Sequence, residues 1–282
     1  MNPFHYAKSF FSDDYLPQQL TWAVGLFLLS LVAIMAGLVL IRRAFGEPRR
    51  SSKGTRPPPG LAVFERYEWG ARLWHVGLVG ILLALWISGA AFYAPGIVPG
   101  PVPVLGMTWL FVHLAFGLLF IFGVIFHMIK APLVGGLTMW FDRHDWDQLV
   151  AGARYYHGLP HELPKLGKYA VSSKVFHVLL FLLALIMIVS GISLTLNTLG
   201  WAEVDQNWQR RYRLVHDVGS YGFLALVVGH VFWQLLKNRS QLLAMVTGRI
   251  AADTFNANHD WDRWKPDVVS QTADAGKVDH GR

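Results

Sequence analysis

The chain of 282 residues contains no cysteine. That absence excludes disulfides, thiolate-held iron–sulfur clusters and covalent c-type haem attachment, which needs Cys-x-x-Cys-His. Charge is sparse as well: 15% of residues are charged, against 53% hydrophobic. Few carboxylates fall within the apolar runs, so a non-haem metal shell would be hard to complete there. No phosphate loop, nucleotide motif or catalytic nucleophile signature is present. The formal charge of +7 would point to nucleic acid in a soluble protein, but here the cations flank apolar runs and are read as membrane topology.

What the chain has in quantity is long apolar stretches and tryptophan, 12 in all, as expected where aromatic rings belt a bilayer. Five runs are long enough to span it: about 20–41, 72–93, 107–131, 174–197 and 212–237. The first is too long for a signal-peptide core and lacks a small-residue cleavage site, so it reads as a retained anchor. Arg42, Arg43, Arg49, Arg50, Lys53 and Arg56 follow it and lead into Pro57–Pro58–Pro59, an extended basic linker on the cytoplasmic side. The N-terminus is then periplasmic and the C-terminus cytoplasmic. In the long inner loop, 132–173, Trp146, Leu149, Val150 and Ala153 recur at helical spacing and predict a short helix lying on the inner surface. Beyond Asn238 a modest helix is expected at 241–250, then polar residues that are mobile near the end. The domain reading is 1–60 leader, anchor and linker; 61–237 four-helix bundle; 238–282 cytoplasmic tail.

Histidines are placed in register along these spans. His216 and His230 lie 14 residues apart, as do His113 and His127. Fourteen residues are about 3.9 helical turns, which puts both rings on nearly one face, roughly 21 Å apart. Imidazole in lipid is costly and points to function. An internal repeat orders the set. Leu73–Trp74–His75–Val76 runs to Ser88–Gly89, and Val175–Phe176–His177–Val178 runs to Ser190–Gly191 at the same offset, with Arg72 and Lys174 in matching positions. The two hairpins are therefore parallel repeats about an axis along the membrane normal. The expected fold is all-α and integral to the membrane: five transmembrane helices, four of them a haem-binding bundle with a two-fold pseudo-repeat.

The six histidines fall into two layers. Only His113 and His216 face one another in the outer layer, and bis-histidine ligation suits electron transfer. Gly117 and Gly219 would let a porphyrin approach the backbone, and Arg211 or Arg213 could neutralise propionates. In the inner layer, His127 with His230 and His75 with His230 are both open by spacing. The second pairing leaves His127 and His177 for a third haem.

The stretch Arg72–Leu73–Trp74–His75, the Leu-x-x-x-x-Ser-Gly ending of that span, Gly167–Lys168–Tyr169 and the His216/His230 helix resemble the cytochrome b subunit of respiratory formate dehydrogenases. The first span and basic linker resemble the related thiosulfate reductase subunit. The resemblance covers about 64–264. It implies an outer haem b on His113 and His216, an inner haem b on His75 and His230, and Arg72 beside the inner site. His127 and His177 have no counterpart in it, so a count of two or three haems stays open. It also implies menaquinone near the inner haem, though Ala170 stands where the family has asparagine. His157, His161, Glu162, Lys168 and Tyr169 are candidate donors or proton relays there.

The functional expectation is a non-catalytic electron-transfer subunit of a bacterial inner-membrane oxidoreductase, a conduit with its own quinone redox site. It would join a periplasmic-side iron–sulfur or multihaem partner, and that partner's catalytic subunit, to quinone. A repeat-built transporter with a histidine-lined path is the alternative, and an inert membrane anchor a third.

Overall fold

In a computed structural model, residues 50–93, 109–135, 138–159, 162–237 and 239–271 are described, with four isolated positions between 32 and 40. The expected first span at 20–41 and the loop at 94–106 lie essentially outside the described residues. Ten elements follow in order: β1 (Leu61–Glu65), α1 (Trp69–Tyr93), α2 (Trp109–Gly135), α3 (Arg143–Tyr156), α4 (Val171–Thr198), α5 (Gln206–Lys237), α6 (Arg239–Thr247), β2 (Arg249–Ala251), α7 (Ala252–Asn258) and β3 (Val268–Gln271).

Among the described residues four helices, α1, α2, α4 and α5, are long and apolar enough to cross a membrane. Hydrocarbon offers backbone N–H and C=O groups no partner, so such runs close their hydrogen bonds internally as helices. Their outward faces fit that solvent: Leu118, Phe122 and Val189 are 69%, 67% and 60% exposed, a liability in water but not in lipid. The protein is mostly helical, as its sequence implies, and three short strands add a small sheet among the described residues.

The chain divides into two compact units. Of the described residues, the first comprises those within 75–133 and 180–227. Its core is Leu82, Phe120, Ala184 and Phe223. Each stands seven residues after a histidine (His75, His113, His177 and His216), two turns along the same face. The repeat read from the sequence is thus also the plan of the core. Phe120 and Phe223, repeat mates, meet edge to face at 6.0 Å and 77°, a favoured aromatic geometry.

The second unit comprises 34–74, 134–179 and 228–282. Its sheet has the order β2-β1-β3, with both pairings antiparallel. Val63 faces Ala251 across one edge, and Phe64 faces Val268 across the other. Phe64, Ile250, Phe255 and Trp264 form the core beneath it. The segment after α6 is therefore folded through Gln271, and the end of the chain expected to be mobile lies outside the described residues. Gly248, at φ +79°, ends α6, and a Cβ there would meet the Tyr67 carbonyl at 2.8 Å. From Arg50 onward the linker is tied down. Arg50 Nε donates to Asn258 at 3.0 Å and Thr55 Oγ1 donates to Asp260 at 2.6 Å.

Helix α3 begins in a capping box between Asp142 and Asp145. It buries Asp145, Gln148, Ala151 and Tyr155, while Trp146 is 67% exposed and Leu149 is exposed too. Exposed Trp146 and Leu149 agree with the surface helix expected there. Asp145 holds Lys174 Nζ at 2.7 Å, both side chains being buried.

Candidate functional site

In the first unit α2 and α5 bring His113 and His216 together, with ring centres 6.2 Å apart and planes at 67°. Metal–nitrogen bonds of about 2 Å, plus about 1.1 Å from nitrogen to ring centre, place two imidazoles on one metal ion roughly 6 Å apart. The observed 6.2 Å is of that size, and also of the size of plain ring packing, as in the Phe120–Phe223 pair at 6.0 Å. Among the described residues no three His, Asp or Glu side chains gather as a metal-binding group. The pair therefore fits iron whose remaining ligands come from a porphyrin.

Each ring is also held from behind. Ser88 Oγ lies 2.7 Å from the Ala84 carbonyl and 2.9 Å from His113 Nδ1. Ser190 Oγ lies 2.6 Å from the Ile186 carbonyl and 3.0 Å from His216 Nδ1. A carbonyl only accepts, so each hydroxyl gives its proton to the carbonyl four residues back and accepts from the ring. Nδ1 then carries the imidazole proton and Nε2 keeps the lone pair that a metal needs. These serines were visible in the sequence only as the Ser-Gly ends of the repeat, and that shared offset was the signal. The glycines beside them matter too. A Cβ on Gly191 would stand 3.2 Å from His216 Cε1, and one on Gly89 would stand 3.7 Å from His113 Cε1.

The other expected residues are placed as follows. His75 and His127 are half-buried in the same unit. His177 and His230 belong to the second unit, where His230 stacks on Phe176 at 4.6 Å and 14°. Around Gly117 a Cβ would meet nothing within 4 Å, whereas at Gly219 it would meet Met187 Sδ at 2.9 Å. Gly219 thus serves close packing of α5 against α4. Arg211 is exposed and lies over Trp208 at 4.8 Å, while Arg213 reaches Asp217 at 4.0 Å. Arg72 donates to the Val246 carbonyl at 2.7 Å, closing the end of α6.

Of the loop candidates, His157 is exposed and donates from Nδ1 to the Ala153 carbonyl at 2.8 Å, capping α3. Glu162 is exposed, and His161 lies outside the described residues. Lys168 and Tyr169 are together, with Nζ 5.7 Å from the ring centre. Burial pushes the Tyr169 phenol up to about 12 and lowers the Lys168 ammonium from its usual range. Two residues not singled out in the sequence fix this corner. His259 donates from Nδ1 to the Gly167 carbonyl at 2.7 Å, which leaves Nε2 to accept from Arg66 at 3.2 Å. Arg66 donates in turn to the Lys168 carbonyl at 3.2 Å. Burial, with Arg66 beside it, pushes His259 down to about 3. A lone histidine in a polar tail carries no periodic signal, so this role was not legible.

No curated protein matches the chain. The family model described as Prokaryotic cytochrome b561 matches residues 66–248, a range that begins before α1 and ends after α6 and holds all six span histidines. Four apolar helices and a bis-imidazole pair are what such a cytochrome requires. The chain belongs to the prokaryotic cytochrome b561 family: it is a multi-pass membrane b-type cytochrome of electron transfer, and the family implies haem b.

Proposed function

We propose that the chain is the cytochrome subunit of a respiratory oxidoreductase in a bacterial inner membrane, of the formate dehydrogenase or thiosulfate reductase type. It carries electrons between a periplasmic-side iron–sulfur or multihaem partner, serving a separate catalytic subunit, and quinone near the cytoplasmic face. The observation that supports this most is the half-buried His113–His216 pair at 6.2 Å, each ring backed by a serine of the preceding helix. Haem b bound there supplies reversible one-electron exchange without an open iron position. His75 and His230 hold the inner haem in this reading, and His127 with His177 a third if the count is three.

The chain's own residues do the rest. His113 and His216 present Nε2 lone pairs, and α1 and α4 supply the serines that orient them. Basic residues in the linker and in the 132–173 loop set the inner face. At the quinone end, Tyr169 keeps its proton throughout the physiological range, since its pKa is about 12, and so can donate a hydrogen bond to a quinone oxygen. Lys168, with its ammonium disfavoured by burial, is the group suited to pass a proton. Ala170 offers no side-chain hydrogen bond where the resembled family has asparagine. His259 and Arg66 fix the Gly167 and Lys168 backbone and so position both side chains.

Haem per chain, counted as pyridine haemochrome in wild type, His113→Ala, His216→Ala and His75→Ala, tests the reading. Either outer variant should lose one equivalent, and His75→Ala a different one. Purified wild type without a b-type absorption band, or outer variants that keep every haem, would overturn it and leave the histidine-lined transporter.

A further inference from the structure

Ser88 and Ser190 are 0% and 1% exposed, and each lies on a different helix from the imidazole it touches. Back-bonding to the carbonyl four residues earlier is an ordinary habit of serine and threonine in helices. Ser193 does it to Val189 at 2.9 Å and Thr195 to Gly191 at 2.8 Å, with no histidine attached. What distinguishes Ser88 and Ser190 is the second bond. With its proton committed to Ala84 or Ile186, the oxygen can only accept from Nδ1–H. The opposite tautomer, with the proton on Nε2, would set two lone pairs against each other at about 3 Å and block the metal-binding nitrogen. Both rings are therefore set before iron arrives.

We propose that Ser88 and Ser190 are positioning residues that hold His113 and His216 in the metal-binding tautomer and keep the potential of the iron they share low. The inference rests on the reading that one haem iron joins those two rings. A ring N–H that donates to an acceptor makes the imidazole a stronger base at its other nitrogen, and an axial ligand's hydrogen bond is a lever on potential. A stronger base favours the ferric form. The rings also interact with the Leu85 and Met187 carbonyls, so losing one serine leaves part of the effect in place. Since a net hydrogen bond is worth about 0.5–1.5 kcal/mol, each serine should move the ferric–ferrous equilibrium roughly threefold. The two are repeat mates, so their effects should be alike and additive. Together they give about tenfold, a rise of about 59 mV for one electron.

The test is a spectroscopic redox titration of the full chain in membranes, on Ser88→Ala, Ser190→Ala, the double variant and both Ser→Thr variants. His113→Ala identifies which haem belongs to the pair. The midpoint of that haem should rise in each alanine variant, roughly twice as far in the double, and return with threonine, whose hydroxyl can make both bonds. The ferric electron-paramagnetic-resonance signal of that haem should shift with it. A double alanine variant with full haem and an unchanged midpoint overturns the proposal while the shared iron stands. Should alanine cost the haem outright, recovery with threonine supports the proposal and failure to recover overturns it. A His113→Ala chain that retains every haem instead removes the shared iron, and the serine role with it.

Discussion

The two glycines beside the paired histidines make a comparison within one molecule. Gly89 and Gly191 are repeat mates, yet an added Cβ would meet His113 Cε1 at 3.7 Å and His216 Cε1 at 3.2 Å. The first distance is ordinary contact; at the second, the ring must retreat by a few tenths of an ångström. His216 has little room to do so, because Ser190, on the adjacent residue, holds its Nδ1 at 3.0 Å. Overpacking a fixed site costs about 1–3 kcal/mol, so Gly191→Ala should weaken haem retention by between about 5-fold and 150-fold. Gly89→Ala should be close to neutral, since alanine favours helix by up to about 1 kcal/mol over glycine. Haem transfer to excess apomyoglobin, with the thermal loss of the Soret band alongside, measures both. Equal loss in the two variants, or a Gly191→Ala chain that keeps haem as well as wild type, would refute the steric account.

Two further outcomes concern the second unit. Lys174 and Asp145 form a buried ion pair at 2.7 Å, so Lys174→Met should cost about 3–5 kcal/mol by stranding a carboxylate. Adding Asp145→Asn, which removes the charge but not the capping oxygen, should restore much of the thermal midpoint measured by circular dichroism in detergent. His259 is pushed from the ordinary 6.5 to about 3, so between those values the unfolded chain binds the extra proton. Its contribution is complete above pH 6.5 and is lost as pH falls toward 3. Tryptophan-monitored melts at pH 7, 5.5 and 4 should show that decline, and His259→Gln should flatten it by removing the titrating group.

The membrane reading was legible because it depends on local properties: an uncharged run of about twenty residues has essentially one way to satisfy its backbone in lipid. The repeat was legible for a similar reason. Offsets of seven and fourteen keep residues on one helix face, so His75, His113, His177 and His216 already implied a common core position, filled by Leu82, Phe120, Ala184 and Phe223. The pairing of His113 with His216 followed from symmetry and span order. The sheet was not legible. Its strands are three to five residues long, and β1 finds its partners near 250 and 270, too far along the chain and too short for alternation to reveal.

The sequence alone thus determined the class of the protein, four of its spanning helices and its repeat, all of which follow from periodicity and from the cost of polar groups in hydrocarbon. Only the tertiary structure decided which oxygen stands behind each imidazole, that Gly219 packs against Met187, and that Arg72 closes α6 at Val246. A hydrogen bond reaches about 3 Å, and no spacing along one helix says which atom of another helix will arrive within it.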